Sequence, residues 1–276
     1  MKRLLFAVLL VISLITTGTN AHSQDVLVLG VAPHTSARVI LEMYQPLRLY
    51  LGKVLGMPVE IVTAPDFTQF ARRALHQEYD IAITTGHQAR LLQTDAQYLP
   101  LLTYKADFKS VAIVAATNPI RKPDELNGKN ILGLSPSSLV TLWGQHWITD
   151  NGVTGTTIKY VSASDSVAQL ILAGEATVGF TSLANFQKLQ PDIKKQLRIF
   201  AESAAMPGRV YMLNSKRSAM KKRIEAALWG FAATAEAQKY FESNKLEGYR
   251  KLGAKELATL DKYAAEVRAV LKRESK

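Results

Sequence analysis

Apolar and polar positions follow two different periods along most of the chain. Residues 26–32 form a short β-rich apolar run, and over 36–55 the apolar positions recur every three or four residues, the spacing of one helix face. Gly56-Met57-Pro58 breaks that helix. Residues 59–64 then predict a strand, 67–76 a helix and 80–84 a third strand. A second series opens with a strand over 111–116, stopped by Asn118-Pro119, and a short helix over 122–126 with proline near its first turn. Strands over 131–134, 158–161 and 177–180 alternate with helices over 138–150 and 166–172, the latter closed by Ala173-Gly174. Residues 197–201 and 209–213 read as extended, and the remainder as helical. Strands separated by helices imply parallel βαβ units with right-handed crossovers.

Two such series, with the chain returning after the second, predict an α/β architecture of two lobes around a hinged cleft. Residues 22–108 with 205–276, including the C-terminal helices, make lobe 1, and 109–204 make lobe 2. The cleft then lies beside strand C-terminal ends, where open α/β sheets bind ligands.

The N-terminus sets the expected compartment. Lys2 and Arg3 precede an apolar run over 4–15, and Thr19-Asn20-Ala21 has the small-x-small form of a cleavage site. This reads as a secretory signal over 1–21, cut after Ala21, with a periplasmic mature protein. The run is shorter than the roughly 20 residues that cross a bilayer. The chain has no cysteine, which excludes thiolate catalysis, cysteine-ligated metal and a lipid-modified cysteine anchor. Net charge is +11; without Lys2 and Arg3 it is +9. Lys216-Arg217, Lys221-Lys222-Arg223 and Lys272-Arg273 are interleaved with apolar positions and read as solvated helix faces. Export leaves no nucleic-acid partner for this charge, and an anionic solute becomes the natural one.

Four loops follow strands and precede helices: Pro33-His34-Thr35-Ser36, Pro65-Asp66-Phe67, Thr84-Thr85-Gly86-His87 and Ser135-Pro136-Ser137-Ser138. A helix first turn presents unpaired N–H groups and the positive end of the dipole, and hydroxyls there make a neutral-donor anion pocket. Ser36, Ser138 and Asp66 also serve as ordinary N-caps. His34 and His87 follow strands of one lobe and can meet at the cleft as anion donors, or as metal ligands with a carboxylate. Two ligands without a third make no metal site, and none is expected. His76 and His146 lie in helices and read as structural. Phe108, Trp143 and Trp147 are candidates for the pocket wall, although Trp143 and Trp147, four apart, also read as one packed face. There is no Gly-x-Ser-x-Gly elbow and no phosphate loop ending in Gly-Lys-Ser/Thr, and Asp66, Asp80 and Asp165 are scattered. No catalytic residue or cofactor is expected, and binding is the better account.

Ala64-Pro65-Asp66-Phe67, Tyr79-Asp80-Ile81-Ala82, Leu172-Ala173-Gly174-Glu175 and Met206-Pro207-Gly208, in that order, resemble the phosphate/phosphonate-type substrate-binding proteins of ABC transporters. The resemblance covers about residues 27–229 and implies a type II periplasmic-binding-protein fold. It also implies departures. Phe67 and Thr84 stand where the family often has ligand-facing tyrosines, and Ser164 where a ligand-binding histidine is usual. Ser137 and Ser138 match the start of the hydroxyl-rich phosphonate loop, but Leu139 and Val140 replace further hydroxyl or small residues. Arg209 stands where aminophosphonate binders carry an acid for the ligand amine; an arginine repels an amine and can grip an oxyanion bidentately. The expected donors are Thr35, Ser36, Thr85, His87, Ser137, Ser138 and Arg209, with Phe67 as an apolar wall. The expected role is a monomeric receptor that hands a small oxyanion to a membrane ABC permease. A subunit signalling to a membrane histidine kinase and a lyase-type enzyme on the same scaffold are the alternatives.

Overall fold

A computed structural model describes residues 25–161 and 164–273, except the Asp165 side chain. The expected signal segment and its cleavage site lie outside the described residues. Lobe 1 begins with β1 (Leu27–Val31), α1 (Ala37–Leu55), β2 (Val59–Val62), α2 (Phe67–Leu75), β3 (Ile81–Thr85), α3 (Gly86–Asp95) and β4 (Leu99–Tyr104). Lobe 2 holds β5 (Ser110–Ala115), a 3-10 turn (Pro123–Leu126), β6 (Asn130–Gly133), α4 (Leu139–Asp150), β7 (Thr157–Tyr160) and α5 (Ser164–Leu172). It continues through β8 (Val178–Ser182), α6 (Leu183–Lys188), α7 (Pro191–Lys194) and β9 (Leu197–Glu202). The chain then re-enters lobe 1 through β10 (Arg209–Leu213), α8 (Lys221–Ala232), α9 (Ala235–Ser243), β11 (Tyr249–Arg250) and α10 (Asp261–Arg273).

Each lobe has its own sheet, in the orders β11-β4-β10-β3-β1-β2 and β7-β6-β8-β5-β9. The β1–β2, β1–β3, β6–β7 and β6–β8 pairs are parallel, as crossover helices require. All five residues of β3 are buried because helices cover both sheet faces. In α1, Ile40, Tyr44, Leu47, Leu51 and Leu55 make the buried stripe. Gly56 ends it in the left-handed region (φ 65°), its N–H bonded to the Gly52 carbonyl, which is the geometry glycine permits most cheaply.

The chain crosses between lobes twice, after β4 and after β9. The two crossovers run antiparallel and exchange both backbone bonds between Phe108 and Met206 (2.9 and 2.8 Å). Such a thin pair of strands bends more readily than either packed sheet, so it serves as the hinge. α10 is fastened to lobe 1 by Arg90–Asp261 (2.6 Å) and Arg268–Asp95 (2.7 Å), and it also reaches α4 of lobe 2. A small core of Ala71, Leu91, Leu142, Ala264 and Val267 joins these helices.

The charge clusters depart from expectation in one place. Arg217 is not on a solvated helix face: it lies in a 3-10 turn (Ser215–Met220) and pairs with Asp80 (2.7 Å) and Asp25 (2.6 Å). Asp80 also accepts from the Val28 N–H. Among the described residues no helix is long and apolar enough to cross a membrane.

Candidate functional site

The C-terminal ends of β1, β2 and β3 in lobe 1 face those of β6 and β8 in lobe 2, and a cavity of about 60 Å³ lies between them. Helix starts surround it. Phe67 opens α2, Thr85 stands at the N-terminal boundary of α3 without a capping bond, Ser138 caps α4, and Ser182 precedes Ala184 and Asn185 of α6. Phe108, Leu134, Leu139 and Val140 supply apolar wall.

Arg209 is the central cation. The antiparallel pairing of β10 with β3 sets it directly opposite Thr85, which puts both side chains on one face at the sheet end. Its Nη1 donates to His34 Nε2 (2.7 Å) and to the Tyr44 hydroxyl (3.1 Å), and its guanidinium lies over the Tyr104 ring, 5.5 Å from the centroid. His34 Nδ1 donates to the Ala32 carbonyl (2.9 Å), which leaves Nε2 as the acceptor Arg209 needs. Burial, with Arg209 reinforcing it, holds the His34 pKa well below 6.5, so the ring is neutral. Behind Tyr44 a buried hydroxyl cluster of Tyr104, Tyr211, Tyr240 and Tyr249 is linked by bonds of 2.5–2.8 Å. Burial raises the pKa of each of these four, so they remain protonated donors.

A second cation comes from lobe 2. Lys188, at the end of α6, donates to Asn244 Oδ1 (2.8 Å). Burial first, and repulsion from Arg209 second, lower its pKa to about 8. Among the described residues neither cation has a carboxylate partner, and no carboxylate lines the cavity. Thr85 Oγ1 is buried without a hydrogen-bond partner. Two positive charges and an unused hydroxyl therefore converge on one confined, largely apolar space.

The cleft is closed. Thr68 and Ser137 hydroxyls meet at 2.9 Å, His87 Nε2 donates to the Ser137 carbonyl (2.9 Å), and Ser164 Oγ donates to the His34 carbonyl (3.1 Å). His146 on α4 meets Glu266 on α10 at 2.5 Å.

Of the residues expected to bind, Phe67, Thr85, Ser138 and Arg209 line the cavity, together with the weighed candidates His34 and Phe108. Thr84 is elsewhere: fully buried, its hydroxyl donates to Gln88 Oε1 (2.8 Å). His87 and Ser137 are fully buried and committed to the interlobe contacts, so His87 does not converge with His34 on a ligand. Ser36 is exposed and lines neither this cavity nor its neighbour. Thr35 and Ser164 line an adjacent recess rather than the cavity. Asp66 is an ordinary cap, accepting from the Gln69 N–H (2.8 Å). Trp143 and Trp147 pack against each other and against Phe180 and Phe200 in lobe 2. His76 is exposed just past α2. Among the described residues no group of three potential ligands could hold a metal. Sequence reasoning missed Lys188, Asn185 and Ser182. A larger hollow of about 680 Å³ lies on lobe 1, away from the cleft, but its Lys221 and Glu225 pair with each other at 2.6 Å.

The model of a known family, the phosphonate periplasmic substrate-binding proteins of ABC transporters, matches residues 29–257. The chain belongs to this family. Membership places this binding protein in the periplasm, as the substrate-capturing partner of a membrane permease. No curated protein sequence matches it. Its fold is that of PhnD1 from Prochlorococcus marinus in complex with methylphosphonate (TM-score 0.78, 13% identity, 88% of this chain and 98% of that one). A Xanthomonas citri protein bound to chloride has TM-score 0.73 at 23% identity, covering 90% of this chain and 99% of that one. A binding component of an ABC phosphonate transporter from Pseudomonas aeruginosa has TM-score 0.67 at 15% identity, covering 92% and 100%. These likenesses establish the two-lobed fold.

Proposed function

We propose that this binding protein captures a small oxyanion between Arg209 and Lys188 and presents it, in the closed form, to its permease. The observation that carries this reading is the pair of carboxylate-free cations brought to one cavity from opposite lobes. Each lobe alone offers half a site; closure completes it, and the ligand stabilises closure by neutralising charge that otherwise repels. Thr85 Oγ1 and the first-turn N–H groups of α3 and α4 add donors for the remaining oxygens. The cavity volume suits a head of about four or five heavy atoms, such as phosphonate, phosphate or sulfate. An ammonium-bearing ligand finds no carboxylate among the described lining residues and meets two cations instead.

Thermal shift of the purified chain tests this. Methylphosphonate, phosphate or sulfate raises the melting temperature, whereas 2-aminoethylphosphonate raises it less or not at all. A melting temperature raised by neutral or cationic solutes, with no response to any oxyanion, contradicts the proposal.

A further inference from the structure

A second space adjoins the oxyanion cavity. It holds about 580 Å³ and shares His34, Asn185 and Lys188 with the smaller one, so the two are contiguous across these side chains. It too lies between lobes, with Val39 and Met43 of α1 on one side and α5 to α7 on the other. Its character differs. Among the described residues Lys188, at the junction, is its only charged group, since burial keeps His34 neutral. Ile113, Phe186 and Ile193 give it apolar surface, while Gln169, Gln190 and Ser243 give neutral hydrogen-bonding groups. Thr181 Oγ1 is buried there with no partner, and such a hydroxyl is left unsatisfied unless a guest completes its bond.

We infer that the natural ligand is an oxyanion carrying a neutral, partly apolar organic substituent with a hydroxyl or amide. The charged head occupies the 60 Å³ cavity and the substituent the 580 Å³ recess. This rests on the oxyanion reading and narrows it. Inorganic phosphate or sulfate fills only the smaller space and leaves the recess to solvent. A substituent that passes Lys188 buries apolar area against Met43, Phe186 and Ile193 and supplies Thr181 with a partner. Lys188 stands at the bond joining head to substituent, where it serves the head while Asn244 fixes it from lobe 1.

Calorimetric affinities for methylphosphonate, ethylphosphonate, 2-hydroxyethylphosphonate and phenylphosphonate test the inference. Each buried methylene is worth roughly fourfold, so phenylphosphonate should bind the wild type at least about tenfold tighter than methylphosphonate. Ala168→Phe on α5 and Val39→Trp on α1 fill the recess from opposite walls. Either should remove that gain and leave methylphosphonate within about threefold of its wild-type affinity. Should one fold poorly, the other stands alone. Thr181→Val should weaken 2-hydroxyethylphosphonate and leave ethylphosphonate unchanged. The inference fails if substituted probes bind the wild type no tighter than methylphosphonate, or if the filled variants weaken every probe alike. In both cases the oxyanion site survives. If methylphosphonate itself does not bind, the oxyanion reading fails first and takes this inference with it.

Discussion

Lys188 ends α6 with its ammonium held by one neutral oxygen, Asn244 Oδ1 at 2.8 Å, and repelled by Arg209. In the folded protein it loses its proton near pH 8, against 10.5 in an unfolded chain. The folded pKa is the lower one, so folding carries the full cost of a charged Lys188 below about pH 8. The cost vanishes as pH rises from there to 10.5. A gap of about 2.5 at 1.36 kcal/mol per pH unit gives about 3 kcal/mol. Replacing Lys188 with Met removes this cost and leaves Asn244 short of a donor, worth about 1 kcal/mol. The ligand-free Lys188→Met protein should therefore be about 2 kcal/mol more stable at pH 7. Binding behaves oppositely. A bound anion returns the lysine pKa towards its ordinary value, so association between pH 8 and 10 takes up a proton, and affinity falls up to tenfold per pH unit. Calorimetry with methylphosphonate at pH 9, in buffers of different ionisation heat, counts that proton. The difference between wild type and Lys188→Met cancels the probe's own ionisation. Equal proton uptake by the two proteins, or a variant less stable than wild type at pH 7, would mean that Lys188 neither carries this cost nor meets the anion.

Three further outcomes are expected. Thr85→Val raises unliganded stability by about 1 kcal/mol, because it removes a buried hydroxyl with no protein partner, and weakens methylphosphonate binding about tenfold, read by calorimetry. Acid destabilises the protein: burial lowers His87 to about 4 and His34 well below 6.5, so the unfolded chain binds protons the folded one refuses as pH falls below 6.5. Urea unfolding at pH 7, 6 and 5 should show a loss to which His87 alone contributes up to about 1.4 kcal/mol per pH unit, with His34 adding to it in the same direction, and His87→Gln should remove the His87 share. Glu266→Ala cuts a half-buried contact between α10 and α4 across the lobes of the closed form, and should weaken methylphosphonate about threefold to fivefold with little change in melting temperature.

The strands and helices that carry a clean period are legible in the sequence alone. β1, α1, β2, α2 and β3 follow one another where apolar residues repeat at two or at three and four, and β5 to β8 do the same in lobe 2. α3 and β4 went unseen. α3 is buried on several sides at once, Gly86, His87 and Gln88 included, so no amphipathic stripe marks it. β4 carries Pro100, which weakens a strand signal. α6 and α7 are short and have no fully buried residue. At the site, hydroxyl-rich loops announce donors, but sequence does not say which donors are already used. Thr84 is committed to Gln88 and Ser137 to Thr68, whereas the adjacent Thr85 is free. Lys188 looks like any solvated helix lysine until the other lobe closes on it. Arg209 stood out only because the family resemblance gave its position a meaning.

Arg209 is the cation on which anion capture chiefly depends. Its Nε and Nη2 make no hydrogen bond among the described residues, while Nη1 is fixed by His34 and Tyr44, so the guanidinium is held with donors to spare. Methylphosphonate titrated into wild type and Arg209→Gln at pH 7.5, with melting temperatures confirming that both are folded, isolates that charge. Loss of a charge-assisted bidentate grip should weaken binding about a hundredfold or more. A folded Arg209→Gln that binds within threefold of wild type would contradict an oxyanion held between the two lobes.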